Sequence, residues 1–391
     1  MDGSSGVLHR KFDWKMSRSW KWPPAKWGGV CKPFSFQRRP LTWDIEYGDG
    51  SSASGVVGFD QVEIGNMRIQ QQAVQLANRF SGRQFIDGSA DGILGLAFGH
   101  LSSVGPETVG TPLENMIAQD LLHEQVFTVS LNPDNCFFSF GFIDEATRAG
   151  RDPHYVDIDD RGGFWNFNSR YARIGNKIYR RIAGTAIADT GASIILTHPH
   201  LVWKIYQEIP GAMYDSRQPG WVYPRDAAVP EIAFSVGDDQ SCMIYIDENN
   251  MRHSDLGNGF VFGAIQENPA YDGGGLVFDI FGTPFFRHVY AIFDIRGRRF
   301  GVIKESRERL FLASMSDSPV SLEGSTRHGG EEEQEDVIED SVDGSILEEY
   351  PRRSSTVDSS GLGSSIPQVP EAIPEELTAV EDGSAELERI S

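Results

Sequence analysis

Between Leu41 and about Lys304 the chain alternates short apolar runs with glycine-containing breaks, a pattern that predicts strands joined by tight turns. The clearest strand segments are "GVVGFDQVEIGNMRIQQQAVQLA" (55–77), "FTVSL" (127–131), "FFSFGFID" (137–144) and "YARIGNKIYRRIAGTAIADTG" (171–191). Helical spacing of apolar residues appears at "TPLENMIAQDLL" (111–122) and "HPHLVWKIYQEI" (198–209), which predicts two short helices. An approximate repeat links "DGILGLAFG" (91–99) to "FDIFGTPFF" (278–286), each with two apolar residues before a glycine at the end of a run expected to be buried. Two related lobes follow from it.

Composition supports a turn-rich all-β protein, with 42 glycines and 39% hydrophobic residues in 391 positions. The net charge of −21 is uneven: residues 1–40 carry +7, residues 305–391 carry −16, and the middle carries −12. An acidic body with an acidic tail argues against nucleic-acid or anionic-membrane partners. Residues 1–40, basic and tryptophan-rich, show no period and stay unassigned. The Ser-, Glu- and Pro-rich stretch 305–391 is expected to be disordered, because it has little apolar surface to set against chain entropy. Cys31, Cys136 and Cys242 form neither a disulfide framework nor a CxxC site, and Cys136, in an apolar run, is expected to be an inert core thiol. The chain as written shows no secretory signal, and no stretch has transmembrane length.

One carboxylate stands out. Asp189-Thr190-Gly191-Ala192-Ser193 is a tight turn with Ala186-Ile187-Ala188 before it and Ile194-Ile195-Leu196 after it, which puts an acid at the base of a buried β-loop. Asp-Thr-Gly alone is an ordinary turn tripeptide; its apolar flanks make it a candidate site. "WDIEYGDGSSASG" (43–55) reads as a β-hairpin with a small-residue tip. Gly48-x-Gly50-x-x-Ala53 fits a dinucleotide-binding fingerprint, but that fingerprint must open a helix and "SGVVGFDQVEIG" continues as strand. There is no HExxH zinc motif and no GxSxG elbow, so neither a metal nor a cofactor is expected.

Taken together, "WDIEYGDGSSASG", "DGILGLAFG", "FSFGFID", "GFWNF", "AIADTGASI" and "GTPFFRHVYAIFDIRGRRFGV" resemble the pepsin-like aspartic endopeptidases, especially fungal ones, over residues 41 to 304. The resemblance implies an all-β bilobal fold with a cleft between the lobes, each lobe giving one Asp-Thr/Ser-Gly loop braced by an apolar-apolar-Gly strand. It implies Asp189 as a catalytic aspartate supported by Thr190, Gly191 and Ser193. It also implies Tyr47, Gly48 and Asp49 as a flap over the substrate, with Asp49 resembling the acidic flap residue by which some fungal members accept a basic side chain. Such a protein is a monomer acting on protein or peptide substrates, without nucleic acid or membrane, and is secreted or vacuolar. Many relatives have a cysteine pair in the second lobe; here Phe262 stands where a partner for Cys242 is often found, and Thr283 stands where an acidic residue is common.

Two carboxylates are needed for this chemistry, one ionised to activate water and one protonated to polarise the scissile carbonyl. Asp189 and Gly282 lie 93 residues apart, and the same count back from Gly95 reaches Asp2, in "DGSS". The hairpin ending in "AGTAIA" is expected to pin Asp189, whereas only Met1 precedes Asp2. The first lobe (41–155) is therefore expected to be incomplete, truncated or altered at its beginning, and the second (156–304) complete. On that reading the chain as written does not cleave. The alternatives are a non-catalytic descendant that binds peptides, and a homodimer in which two Asp189 loops face each other.

Overall fold

The computed structural model describes residues 12–23, 41–47, 50–82, 90–272 and 278–305, with the backbone of 337–338. The chain divides into two compact units, 1–343 and 344–391, and the described residues all belong to the first. The strands in chain order are β1 (Thr42–Glu46), β2 (Ser52–Ile64), β3 (Met67–Ser81), β4 (Val126–Asn132), β5 (Asn135–Phe140), β6 (His154–Asp159) and β7 (Asn166–Asn168). They continue as β8 (Tyr171–Ile174), β9 (Lys177–Arg180), β10 (Thr185–Ala188), β11 (Ile195–Thr197), β12 (Met213–Asp215), β13 (Gly220–Pro224), β14 (Ile232–Ser235) and β15 (Met243–Ile246). The last are β16 (Arg252–Asp255), β17 (Phe260–Gly263), β18 (Ile265–Glu267), β19 (Asp279–Phe281), β20 (Val289–Asp294), β21 (Arg299–Lys304) and β22 (Val337–Ile338). Helices are short: α1 (Pro112–Ala118), α2 (Glu145–Arg148), α3 (Pro199–Gln207) and α4 (Thr283–Phe286).

The two helices expected from periodicity are α1 and α3, and local chemistry explains their starts. Thr111 caps α1 by accepting from the Glu114 amide while Glu114 accepts from the Thr111 amide, and Pro112 opens the first turn. In α3, Pro199 again opens the helix, and Leu201, Val202, Ile205 and Tyr206 form its buried face.

Among the described residues, four sheets carry the fold. β1–β2–β3 is a three-stranded antiparallel sheet, with Trp43 opposite Gly55 and Glu46 opposite Ser52. The expected hairpin is therefore present, and its second arm runs on as strand. A ten-stranded sheet, ordered β18-β11-β19-β10-β7-β6-β21-β20-β4-β5, joins strands from both halves of the chain. The position expected to divide the lobes, 155/156, lies inside β6 of this sheet. A four-stranded sheet (β12-β13-β17-β16) and a five-stranded sheet (β15-β14-β8-β9-β22) complete the second half. The expectation of a disordered tail lies outside the described residues, except that Val337 and Ile338 pair in parallel with β9.

The main core is aromatic: Phe127 stacks on Phe293 with ring centres 4.3 Å apart, and Trp165, Phe167, Phe281, Phe285 and Phe300 surround them. A smaller cluster of Leu41, Trp43, Ala53, Val57 and Val104 sits under the first hairpin. Part of the unassigned basic segment docks there too. Lys21 bridges to Phe59, Ser17 and Ser19 donate to Asp60, and Trp20 lies so close to Gly58 that a Cβ would meet its ring at 2.0 Å.

Three expectations are corrected. Residues 91–98 are not the end of a buried run: they form no strand, and Ile93 and Leu94 are 69% and 47% exposed, whereas Phe281 at the equivalent place is fully buried. The physical reason is neighbours, since β19 is held between β10 and β11 while no described strand lies beside Ile93. Leu96 and Phe98 pack against the main core, where the Leu96 carbonyl accepts from Trp165 Nε1 at 3.1 Å and the Phe98 ring packs on Trp165. Cys136 is exposed rather than a core thiol, because it lies near the start of β5, the outermost strand of its sheet. Finally, the β8–β9 hairpin does not pin Asp189; it belongs to the five-stranded sheet, and the pinning strands are β7 and β19.

Candidate active site

Asp189 follows the last residue of β10 and begins the loop to β11. β10 runs parallel to β19, with Ala186 opposite Asp279, Ile187 opposite Ile280 and Ala188 opposite Phe281. On its other side β10 pairs antiparallel with β7. The ladder extends one residue into the loop, where the Asp189 amide donates to the Phe281 carbonyl at 3.0 Å. The backbone that carries the carboxylate is thus an extension of the sheet.

Within the loop the Gly191 amide donates to Asp189 Oδ1 at 2.9 Å, and the Ala192 amide turns back to the Asp189 carbonyl at 3.3 Å. A Cβ on Gly191 would stand 3.2 Å from that carboxylate oxygen, so a side chain would crowd the group it supports. The far side of the loop is held by the turn into α4. The Thr283 amide and hydroxyl both donate to the Ala192 carbonyl, at 2.8 and 3.1 Å. Gly282 makes this possible: a Cβ there would lie 2.4 Å from Ala192 O and 2.3 Å from Ile194 O. On β16, His253 has its pKa lowered chiefly by burial and partly restored by the backbone of Ser193. Asp189 and Thr190 are half-buried, and Gly191 and Ser193 are exposed, so the carboxylate is reachable from solvent while its backbone is fixed.

The structure therefore gathers Asp189, Thr190, Gly191 and Ser193 on one loop. Tyr47 is elsewhere, at the end of β1 in the three-stranded sheet; its amide donates to Ser51 O at 2.8 Å and its carbonyl accepts from the Gly50 amide at 2.9 Å, closing the hairpin. Gly48 and Asp49 lie outside the described residues, as does Asp2. Cys242 is a buried free thiol whose pKa is raised by that burial. Sequence reasoning passed over Arg181 and Asp279, both fully buried beneath the loop. Their signal was weak: a second arginine in "YRRIAG" and an aspartate inside the apolar run "VFDIF".

A parallel strand pair ending in a solvent-facing Asp-Thr-Gly loop, locked by an apolar-apolar-Gly strand, defines an aspartyl protease lobe. The chain matches the family described as eukaryotic aspartyl protease over residues 32–304, and it belongs to that family. Among curated relatives it is 36% identical over 261 residues to aspergillopepsin-1 of Aspergillus pseudoglaucus, covering 66% of this chain and 64% of that protein. It is 33% identical over 299 residues to penicillopepsin-1 of Talaromyces stipitatus, covering 74% and 73%. The chain thus spans just under two thirds of the aspergillopepsin-1 length. Its fold is similar to the crystal structure of an aspartic proteinase from Irpex lacteus, with a TM-score of 0.57 at 21% identity over 68% of this chain and 82% of that one. The fold is the all-β, bilobal, pepsin-like one. Among the described residues no helix is long and apolar enough to cross a membrane.

Proposed function

We propose that this protein is an aspartic endopeptidase whose Asp189 is one of two carboxylates that activate water against a peptide bond. The observation that carries this reading is the Asp189 loop itself, a reachable carboxylate whose backbone is fixed to β19 and to Thr283. In such a site one carboxylate is ionised and takes a proton from water, and the other, protonated, donates to the carbonyl oxygen of the substrate. Two carboxylates at contact distance cannot both ionise, so they titrate as a pair, as in aspartic proteases generally. Thr190, Gly191 and Ser193 support the loop, and Tyr47, Gly48 and Asp49 form the flap over a protein or peptide substrate. The compartment on this reading is secreted or vacuolar, and the protein works as a monomer.

A second carboxylate is the requirement this reading sets. Asp2 is the candidate by spacing. A peptide-binding protein without turnover is the second reading, favoured by one observation: the 91–98 segment is not built as the counterpart of β19, with Ile93 and Leu94 turned to solvent. Both are tested by one comparison. The chain, Asp189→Asn and Asp2→Asn are assayed on denatured protein at acid pH, with and without pepstatin, alongside peptide binding. Pepstatin-sensitive cleavage lost in Asp189→Asn supports the enzyme, and its loss in Asp2→Asn also assigns the partner. Binding without cleavage supports the second reading, and cleavage indifferent to Asp189→Asn overturns the first.

A further inference from the structure

Beneath the Asp189 loop lies an ion pair that the peptide-hydrolysis chemistry does not use. The side chains of Arg181 and Asp279 are each 1% exposed and paired through Arg181 Nη2 and Asp279 Oδ2. Taking two charges out of water costs more than most pairs recover, so such a pair is weak evidence for stability and invites another explanation. What Asp279 touches supplies one. Besides Arg181, its Oδ2 accepts from the Thr197 hydroxyl, and its Oδ1 accepts from Tyr271 Oη at 2.7 Å. Thr197 is the last residue of β11, the strand that leaves the Asp189 loop. Arg181 lies four residues before β10, the strand that enters it, and its Nη1 also donates to the Ser169 carbonyl at 2.6 Å and to the Ser169 hydroxyl, just past the end of β7. One carboxylate therefore gathers the segments entering and leaving the loop, and the strand on which that carboxylate sits is the one that accepts from the Asp189 amide.

Register explains why a charge serves here where a hydrophobe would not. Ala186, Ile187, Ile280 and Phe281 make this parallel pair apolar on both faces, so a slip of one residue would still set apolar side chains against apolar ones. Asp279 has one position at which it meets Arg181, Thr197 and Tyr271 together, and a slip of one residue would leave a buried carboxylate unpaired. The Arg181 guanidinium is closed in from the other side by the rings of Phe281 and Phe234, at 5.0 and 5.5 Å. Fixed at Asp279, β19 presents the Phe281 carbonyl to Asp189 and Gly282 to Ala192 two and three residues on.

The geometry points to Arg181 and Asp279 as a positioning pair for Asp189, setting the register of β19 against β10 and with it the placement of the carboxylate. This rests on the proposed role of Asp189, but its test does not require cleavage. Arg181→Met combined with Asp279→Asn removes both charges together, leaves no ion unpaired, and keeps an acceptor for one of the Thr197 and Tyr271 hydroxyls and an amide donor for the oxygen of the other. Hydrogen exchange followed by mass spectrometry compares peptides covering 186–194 with peptides covering 289–294 as the internal control. The expected result is exchange at least ten-fold faster in the loop peptide with the control within two-fold, and recovery of most of the protection in Arg181→Lys. Loop exchange within two-fold of the parent, or equal acceleration in both peptides, overturns the proposal, since a merely structural pair would loosen the whole sheet or nothing. Should the double variant fail to fold, Asp279→Asn alone decides by the same ratio of loop to control, with Arg181→Lys expected to stay close to the parent. Loss of cleavage in Asp189→Asn tests the reading of Asp189 separately from all of these.

Discussion

Gly95 and Gly282 end the same sequence pattern, and the structure assigns them opposite sensitivities. A Cβ on Gly282 would stand 2.3 Å from Ile194 O and 2.4 Å from Ala192 O, where real Cβ atoms keep 3.0 Å or more, and both neighbours are backbone that cannot swing aside. In Gly282→Ala the Asp189 loop must therefore move away from β19. Overpacking of this kind costs about 1–3 kcal/mol. Losing the Thr283 to Ala192 backbone bond, 2.8 Å in the parent, adds about 1 kcal/mol. The expected loss is about 2–4 kcal/mol, which at an m-value of about 3 kcal/mol/M lowers the urea midpoint by roughly 1 M. Gly95 has nothing within 4 Å of its Cβ position, so Gly95→Ala is expected to stay within about 0.5 kcal/mol of the parent. Urea unfolding followed by the fluorescence of the tryptophans, Trp165 being buried in the main core, measures both. Equal costs for the two substitutions, or a Gly282→Ala variant as stable as the parent, would refute the asymmetry between the two halves of the repeat.

Other outcomes follow from single features. Phe293 lies 4.3 Å from the Phe127 ring and 5.1 Å from that of Trp165, so Phe293→Ala should destabilise by about 3–5 kcal/mol in the same urea assay. Thr111→Ala removes one half of the α1 capping box and should cost about 1 kcal/mol. His288 is buried, and burial lowers its pKa from 6.5, with Asp247 pulling it back up and Arg287 pushing it further down. The fold thus keeps it neutral while the unfolded chain takes a proton near 6.5; the unfolded state binds more protons, and stability falls as pH drops below 6.5 until the folded pKa is passed. Urea midpoints measured between pH 7 and 5 should show a shallower slope in His288→Gln, by up to about 1.4 kcal/mol per pH unit, and an unchanged slope would count against this account.

Most elements were legible in the sequence because they depend on neighbours a few residues away. The strands at 126–132 and 171–180 announce themselves by apolar runs between turns, and α1 and α3 by spacing plus a Thr-Pro or His-Pro start. What could not be read depends on which strand lies beside which. Ile93-Leu94-Gly95 and Ile280-Phe281-Gly282 look alike, yet among the described residues only the second has strands on both sides. Cys136 has apolar neighbours in sequence, but its exposure follows from β5 being the outermost strand. The docking of residues 12–23 was hidden for a related reason: the Trp14, Trp20 and Trp22 rings cluster without helical or strand period, and the space for Trp20 is the missing side chain of Gly58.

The Asp189 site divides along the same line. Its carboxylate is named by the local motif, whose apolar flanks forecast β10 and β11. Its placement is set about ninety residues later by one short segment with four separate tasks. Asp279 collects Arg181, Thr197 and Tyr271; Phe281 accepts from the Asp189 amide; Gly282 permits the close approach; Thr283 holds the Ala192 carbonyl. A buried aspartate within an apolar run opposes the pattern from which strands are read, so Asp279 acquires a meaning only when the register puts it opposite Ala186. Substitutions in 279–283 should accordingly disturb the Asp189 loop more than substitutions at equal distance in β7, because β7 meets β10 over Thr185–Ile187 and stops short of the loop, while β19 reaches into it.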